Sequence, residues 1–139
     1  MRVLGIDLGS RRIGVAVSDP GGVLASPVAV VPRSGDHATD HRALAAMVAE
    51  WEAERVVVGL PLSLDGSMGP AARAAAAEAD ELGSVVGVPV EVADERLTTV
   101  TADRALREAA PRRGAKARRQ VVDAAAAAVL LQAWLDGRR

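Results

Sequence analysis

The chain has 139 residues, half of them hydrophobic, and a formal net charge of −1, which suits one compact domain over residues 1–139 with a single core. It has no cysteine, phenylalanine or tyrosine, which excludes disulfides, thiolate ligands and most stacking of bases on aromatic rings. Site chemistry is therefore left to carboxylates and the two histidines, and any binding of nucleic acid must rest on charge and shape.

The first third of the chain has the pattern of three consecutive strands. Val3–Asp7 and Ile13–Ser18 are apolar runs separated by a short turn, which predicts a hairpin. After a second turn, a third strand is predicted over Val23–Val31. Pro27 favours an edge position for this strand, because proline cannot donate a ladder hydrogen bond.

The rest of the chain alternates helices with strands. A helix is predicted over Asp40–Glu54, where apolar residues recur at helical spacing, and a buried parallel strand over Arg55–Pro61. The later predicted elements are a helix over Pro70–Gly83, a strand over Val85–Ala93, a short helix over Thr101–Ala110, a basic loop over Pro111–Arg119 and a last helix over Gln120–Asp136. Together these elements predict an α/β fold, a mixed five-stranded sheet flanked by helices, in the order of the ribonuclease-H-like fold.

Asp7 is an acid within an otherwise apolar strand. Burying an unpaired carboxylate costs several kcal/mol, and a bound cation would offset that cost. Backbone N–H groups of the following turn could satisfy the carboxylate equally well. The residue alone leaves both interpretations open.

Asp123 lies in the last helix, which is apolar on nearly all sides. Its spacing places it on the same face as Leu130 and Trp134, so it points toward the core. The helix dipole would favour an acid in a first turn by up to about 1 kcal/mol, but it does not explain a position on the buried face.

Asp94 and Glu95 end a mostly apolar strand. In an extended chain their carboxylates face opposite sides, so only one of them can join a given site. The spacing alone favours a solvated strand end with a salt bridge to Arg96.

Three carboxylates from two strands and a helix would form an oxygen-rich site suited to Mg²⁺ or Mn²⁺. Two such ions can activate water and stabilise the leaving oxygen of a phosphodiester displacement. Basic residues just before Asp123 could neutralise flanking phosphates, although a charge run is more often solvated surface. They are Arg112, Arg113, Lys116, Arg118 and Arg119.

His37 and His41 have the spacing of neighbours on one helix face, but the sequence suggests no third ligand. We expect both to be solvated surface residues.

Six motifs in order resemble those of the YqgF/RuvX family of pre-16S rRNA nucleases, once called Holliday-junction resolvases. They are Gly5-Ile-Asp7-Leu-Gly9, Arg12-Ile-Gly-Val-Ala-Val-Ser-Asp19, Val58-Gly-Leu-Pro61, Gly66 with Gly69, Asp94-Glu-Arg-Leu-Thr-Thr99 and Asp123-Ala-Ala-Ala126. The resemblance spans nearly the whole chain.

The resemblance implies a ribonuclease-H-like nuclease fold and a divalent metal. It maps the catalytic and metal-binding acids onto Asp7, Glu95 and Asp123. It also gives supporting, nucleic-acid-binding positions at Arg12, Arg96 and Thr98. Related resolvases often carry a fourth acid one turn further along the last helix, where this chain has Ala126. In the usual sheet order, Glu95 must reach across Gly59 to meet Asp7.

The expected function is a metal-dependent endonuclease that cleaves structured RNA at the 5′ end of pre-16S rRNA during ribosome biogenesis. We expect a monomer or homodimer that acts on RNA or a pre-ribosomal particle. We also expect a cytoplasmic protein that does not contact a membrane, because neither a span of ~20 apolar residues nor a signal peptide is evident. The alternatives are a Holliday junction resolvase acting on four-way DNA and a non-catalytic ribosome-assembly module that binds RNA. An actin-like kinase would need a second domain, for which the chain is too short.

Overall fold

The computed structural model describes residues 1–95 and 115–138, and within the last helix it describes side chains from Asp123 onward. Five strands and three helices follow one another along these residues. Their order is β1 (Val3–Leu8), β2 (Arg12–Ser18), β3 (Ala25–Pro32), α1 (His37–Glu50), β4 (Arg55–Leu60), α2 (Pro70–Gly83), β5 (Val90–Asp94) and α3 (Ala115–Asp136).

The strands form one mixed sheet in the order β3-β2-β1-β4-β5. β1, β2 and β3 are antiparallel neighbours, whereas β4 runs parallel to both β1 and β5. This confirms the predicted α/β fold with a mixed five-stranded sheet. It also confirms the edge position of the strand that carries Pro27, beside which the pairing register shifts between Val15 and Ala16.

Helices cover both faces of this sheet. On one face, Leu4 and Ile6 of β1 pack with Leu44 of α1 and Leu82 of α2 in the larger core cluster. On the other face, α3 packs over β1, β2 and β4 in a smaller cluster. Its buried members are Val3, Ala16, Val57, Ala127, Leu131 and Leu135. Because side chains of a strand alternate between faces, each central strand contributes to both clusters.

Two glycines let α3 approach the sheet closely. A Cβ atom at Gly5 would lie 2.8 Å from the Cβ atom of Leu131, and one at Gly14 would lie 2.5 Å from the carbonyl carbon of Asp123. Carbon atoms normally approach to about 3.5–4.0 Å. The absence of side chains at these positions therefore fixes where Asp123 lies above the sheet.

The ends of α1 differ from the prediction of a helix over Asp40–Glu54. The helix begins at His37 because the side chain of Asp36 accepts a hydrogen bond from the backbone N–H of Thr39. It ends at Glu50, and the chain then turns through Glu52, which has a φ of 53°.

Two strands start later than predicted, because the preceding residues are held in turns. β3 begins at Ala25 rather than Val23, since Oδ1 of Asp19 accepts hydrogen bonds from the N–H groups of Val23 and Leu24. β5 begins at Val90 rather than Val85, because the N–H of Val85 donates to the carbonyl of Leu82 at the end of α2.

The last helix starts five residues earlier than predicted, at Ala115 rather than Gln120. The C-terminal half of the predicted loop Pro111–Arg119 is therefore helical, as the helix-favouring residues alanine, lysine and arginine permit. The predicted helix over Thr101–Ala110 lies outside the described residues. Within the described ranges, none of the helices combines the length and the apolar character of a membrane span.

Candidate active site

Asp7 and Glu95 meet on the face of the sheet that α3 covers. Asp7 lies near the end of β1, and Glu95 directly follows β5, two strands away. A Cβ atom at Gly59, on the intervening strand β4, would lie 2.7 Å from Cγ and Cδ of Glu95. The Glu95 side chain thus crosses β4 above Gly59 and forms a hydrogen bond with Asp7. This is the path expected from the sheet order usual in the family that the motifs resemble.

Asp94 faces the other way. It is in register with Leu60, whereas Gly59 is in register with Ala93. Alternation along the strand therefore points Asp94 to the face covered by α1 and α2. Of the two acids at this strand end, Glu95 is the one that lies beside Asp7.

The carboxyl groups of Asp7 and Glu95 form a hydrogen bond with each other, and the pKa of each is raised. Burial raises the pKa of Glu95 to about 8, and the charge of Asp7, the hydrogen bond to Asp7 and the charge of Asp94 all act in the same direction. Burial also raises the pKa of Asp7, as does the charge of Asp123, while the hydrogen bond from Glu95 lowers it. Near neutral pH, protonated Glu95 therefore donates to the Asp7 carboxylate.

Asp123 enters the site from α3 and is held by an arginine of β2. Its Oδ2 atom accepts a hydrogen bond from Nε of Arg12 at 2.6 Å, and the two side chains are 20% and 28% exposed. Since α3 begins at Ala115, Asp123 lies two turns inside the helix. The dipole acts mainly within the first turn, so it does not account for this acid.

The oxygen atoms of the three acids are not all close enough together to form a compact metal site. Within the described part of the chain, Asp7, Glu95 and Asp123 do not together bring one oxygen each within 4.8 Å. The ion pair with Arg12 holds Asp123 on the β2 side, while Glu95 approaches from β5. Carboxylate oxygens are hard donors that could bind a divalent cation in exchange for the proton of Glu95.

Most of the predicted nucleic-acid-binding residues are not placed by the structure. Arg96, Thr98, Arg112 and Arg113 lie outside the described residues. Three others belong to the first turns of α3, where only the backbone is described. They are Lys116, Arg118 and Arg119. Arg12 is placed, and sequence reasoning missed its ion pair with Asp123 because the two residues are 111 positions apart.

The expectation that His37 and His41 are solvated is wrong for His41, which is only 2% exposed. Its Nε2 atom lies 2.8 Å from Oε2 of Glu78 on α2, a third polar partner that the sequence did not reveal. His37 is exposed and contacts Glu81 on the same helix α2. The sequence does carry one signal for these contacts, because two histidines lie one turn apart on α1 and two glutamates lie one turn apart on α2.

Comparison with known proteins identifies relatives over almost the whole chain. Residues 1–137 match the family model described as "RuvX: Holliday junction resolvase". Two bacterial relatives carry the name "Putative pre-16S rRNA nuclease". The protein of Rhodococcus opacus (strain B4) is 54% identical over 99% of this chain and 78% of its own length. That of Mycobacterium ulcerans (strain Agy99) is 55% identical over 99% of this chain and 80% of its own.

Among solved structures, the chain resembles RuvC of Thermus thermophilus. The structure of that protein in complex with a Holliday junction substrate has a TM-score of 0.60 and 19% sequence identity, covering 99% of this chain and 95% of the other. A second Thermus thermophilus RuvC structure has a TM-score of 0.58 and 18% identity. At this identity the likeness shows the fold, which is ribonuclease-H-like.

The fold and the named relatives define the class as a nuclease, an enzyme that hydrolyses phosphodiester bonds. Within that class, the chain belongs to the RuvX family.

Proposed function

We propose that the protein is a metal-dependent endonuclease whose catalytic and metal-binding residues are Asp7, Glu95 and Asp123. One observation carries this proposal: the side chain of Glu95 crosses strand β4 above Gly59 and forms a hydrogen bond with Asp7. A hydrophobic sheet face would be more stable without two adjacent acids, because their mutual repulsion and burial both cost free energy. A functional role explains why they meet there.

The donor set fits Mg²⁺ or Mn²⁺. Its three carboxylates are hard oxygen ligands, and the raised pKa values of Asp7 and Glu95 indicate a place where positive charge is needed. A cation bound by Asp7, Glu95 and Asp123 would supply charge stabilisation and an activated water for phosphodiester hydrolysis. Glu95 would lose its proton on binding, so we expect affinity for the ion to rise with pH toward the pKa of Glu95.

Arg12 positions Asp123 and extends the site. Its Nε atom is bonded to Asp123, and the guanidinium is 28% exposed beside the site. A guanidinium can bind a carboxylate and a phosphate oxygen through different N–H groups. We assign Arg12 to holding the phosphate that flanks the scissile bond.

The basic segment before Asp123 and two residues that follow Glu95, Arg96 and Thr98, supply the remaining proposed contacts with nucleic acid. The start of the basic segment precedes α3 and its end forms the first turns of that helix, which lead directly to Asp123. Such residues bind phosphates without reading sequence. The proposed set is Arg96, Thr98, Arg112, Arg113, Lys116, Arg118 and Arg119.

The proposed substrate is structured RNA at the 5′ end of pre-16S rRNA, processed in the cytoplasm during ribosome biogenesis. The support is the name carried by relatives that are 54% and 55% identical over 99% of this chain. The second candidate substrate is four-way DNA, which the description of the matching family favours.

The experiment compares the two substrates directly. Purified protein is incubated with a pre-16S rRNA 5′ fragment and with a four-way DNA junction, each with Mg²⁺ or Mn²⁺. We expect a defined RNA product and no junction cleavage. Resolution of the junction alone would favour the second candidate, and binding of RNA without a product under any condition would identify a non-catalytic assembly module.

A further inference from the structure

A cluster of polar side chains lies between α1 and α2, on the face of the sheet opposite Asp7. His37 and His41 are one turn apart on α1, and Glu78 projects from α2. The Nε2 atom of His41 is 2.8 Å from Oε2 of Glu78. One ligand atom from each of the three side chains lies within 4.8 Å of the other two.

This arrangement is close to that of a tetrahedral metal centre. Zinc binds histidine nitrogen and carboxylate oxygen at about 2.0–2.2 Å, so neighbouring ligand atoms in a tetrahedron are about 3.3 Å apart. Small side-chain shifts of His37, His41 and Glu78 would reach that spacing from the observed positions. Two imidazoles with one carboxylate favour Zn²⁺ over Mg²⁺, which prefers oxygen ligands only.

The charges around the cluster would also favour a bound cation. Asp40 and Glu78 are buried, at 2% and 5% exposed. Arg33 forms hydrogen bonds of 2.6 and 2.9 Å with the two oxygens of Glu78. Oδ2 of Asp40 has no hydrogen-bond partner and lies 3.7 Å from Nη1 of Arg33. Two buried carboxylates thus face one guanidinium, and burial of such an imbalance is costly.

An ion could reach the cluster from solvent, and the ring of His37 is already held by a neighbouring carboxylate. A cavity of about 460 Å³ opens beside it, lined by His37, Asp40 and Glu78 together with Gly9. The Nδ1 atom of His37 is 2.9 Å from Oε2 of Glu81. A carboxylate that holds the ring of a ligating histidine is a common support in metal sites.

We propose that His37, His41 and Glu78 bind one Zn²⁺ ion and so link α1 to α2 at a site separate from the carboxylates of the nuclease centre. The ion would add positive charge beside Asp40 and Glu78, which share the single guanidinium of Arg33, and the cavity would leave room for a water molecule as a further ligand. This inference does not depend on the proposed nuclease mechanism, since the two sites lie on opposite faces of the sheet.

The test is calorimetric titration of Zn²⁺ into full-length protein that carries no histidine tag. The protein is first stripped of metal and then placed in excess Mg²⁺, which occupies the carboxylate site. The Asp7→Asn variant is titrated in parallel as the control for the carboxylate site. His37→Ala is the main variant because His37 is exposed and its loss should leave the fold intact. Glu50→Gln removes an exposed acid elsewhere on α1 and is the matched control.

We expect one Zn²⁺ per chain in the wild type, in Asp7→Asn and in Glu50→Gln, with affinity at least tenfold weaker in His37→Ala. Bound Co²⁺ should give visible absorption that His37→Ala reduces. The absence of Zn²⁺ binding in the wild type would overturn the proposal and leave the cluster as a metal-free hydrogen-bond network between α1 and α2. Equal affinity in His37→Ala, or loss of the ion in Asp7→Asn, would also overturn it.

Discussion

A methyl group at Gly59 would displace the side chain of Glu95 from its place beside Asp7. The Cβ atom of an alanine there would lie 2.7 Å from Cγ and Cδ of Glu95. Ordinary contacts between carbon atoms are about 3.5–4.0 Å, so the glutamate must move by about 1 Å. Glu95 follows the end of β5 and is half-buried, so it can turn outward without moving the sheet.

The expected effect falls on activity rather than on folding. A misplacement of about 1 Å in a catalytic group can lower the rate about 100-fold. We expect a loss of that size in Gly59→Ala. The free energy of unfolding should change by less than about 1 kcal/mol, because the flexible side chain gives way and alanine restricts the unfolded chain more than glycine does.

The assay measures single-turnover cleavage and thermal unfolding on the same preparation. Gly69→Ala is the matched control, since among residues 1–95 and 115–138 a Cβ atom at Gly69 would meet only Oγ of Ser63, at 3.6 Å. That variant should keep full activity. A folded Gly59→Ala protein that cleaves at the wild-type rate would refute the role given to the position of Glu95.

Three further predictions concern the acids and the basic segment. Glu95→Gln should lower cleavage at least 100-fold, whereas Asp94→Asn should stay active because Asp94 points to the other face; equal effects in a cleavage assay would contradict this. The folded state binds a proton on Glu95, whose pKa is about 8 against an ordinary 4.5. The free energy of unfolding of the metal-free protein should therefore fall as the pH rises from 4.5 to 8. The expected fall is on the order of 2 kcal/mol, because solvent screens the charge of a partly exposed group. Unfolding at several pH values checks the sign, and Glu95→Gln should flatten the curve. Joint replacement of basic residues by alanine should weaken the binding of nucleic acid. It should also lower the slope of log affinity against log salt concentration by about 0.7–0.9 per lost phosphate contact. An unchanged slope would mean that these side chains are solvated and do not contact phosphates. The residues replaced are Arg112, Arg113, Arg118 and Arg119.

The features that local patterns determine were predictable from sequence. Alternation along strands and the edge preference of Pro27 gave the mixed sheet, and the spacing on the last helix placed Asp123 on its buried face. The sheet order usual in the family that the motifs resemble implied that Glu95 passes over Gly59, and the structure shows this path. The mixed sheet and the face of Asp123 follow from periods of two and 3.6 residues along the chain, whereas the path of Glu95 follows from the family resemblance.

The features that depend on distant partners were not predictable. His41 is buried because α2 brings Glu78 to it, 37 residues further along the chain. The ends of α1 likewise depend on the side chain of Asp36 and the backbone turn at Glu52, not on hydrophobic spacing. Periodicity identifies a helix face but does not say which charged residue of a neighbouring helix will contact it.

The central claim is that Asp7 serves catalysis and not folding. The most direct test measures cleavage, RNA affinity and unfolding on one preparation of Asp7→Asn, with Mn²⁺ present and absent. The amide keeps the shape of the side chain but cannot supply the charge that holds a cation. We therefore expect cleavage to be abolished, RNA affinity and the metal-free fold to be retained, and stabilisation by Mn²⁺ to be lost. Full cleavage activity in the folded variant would contradict the account.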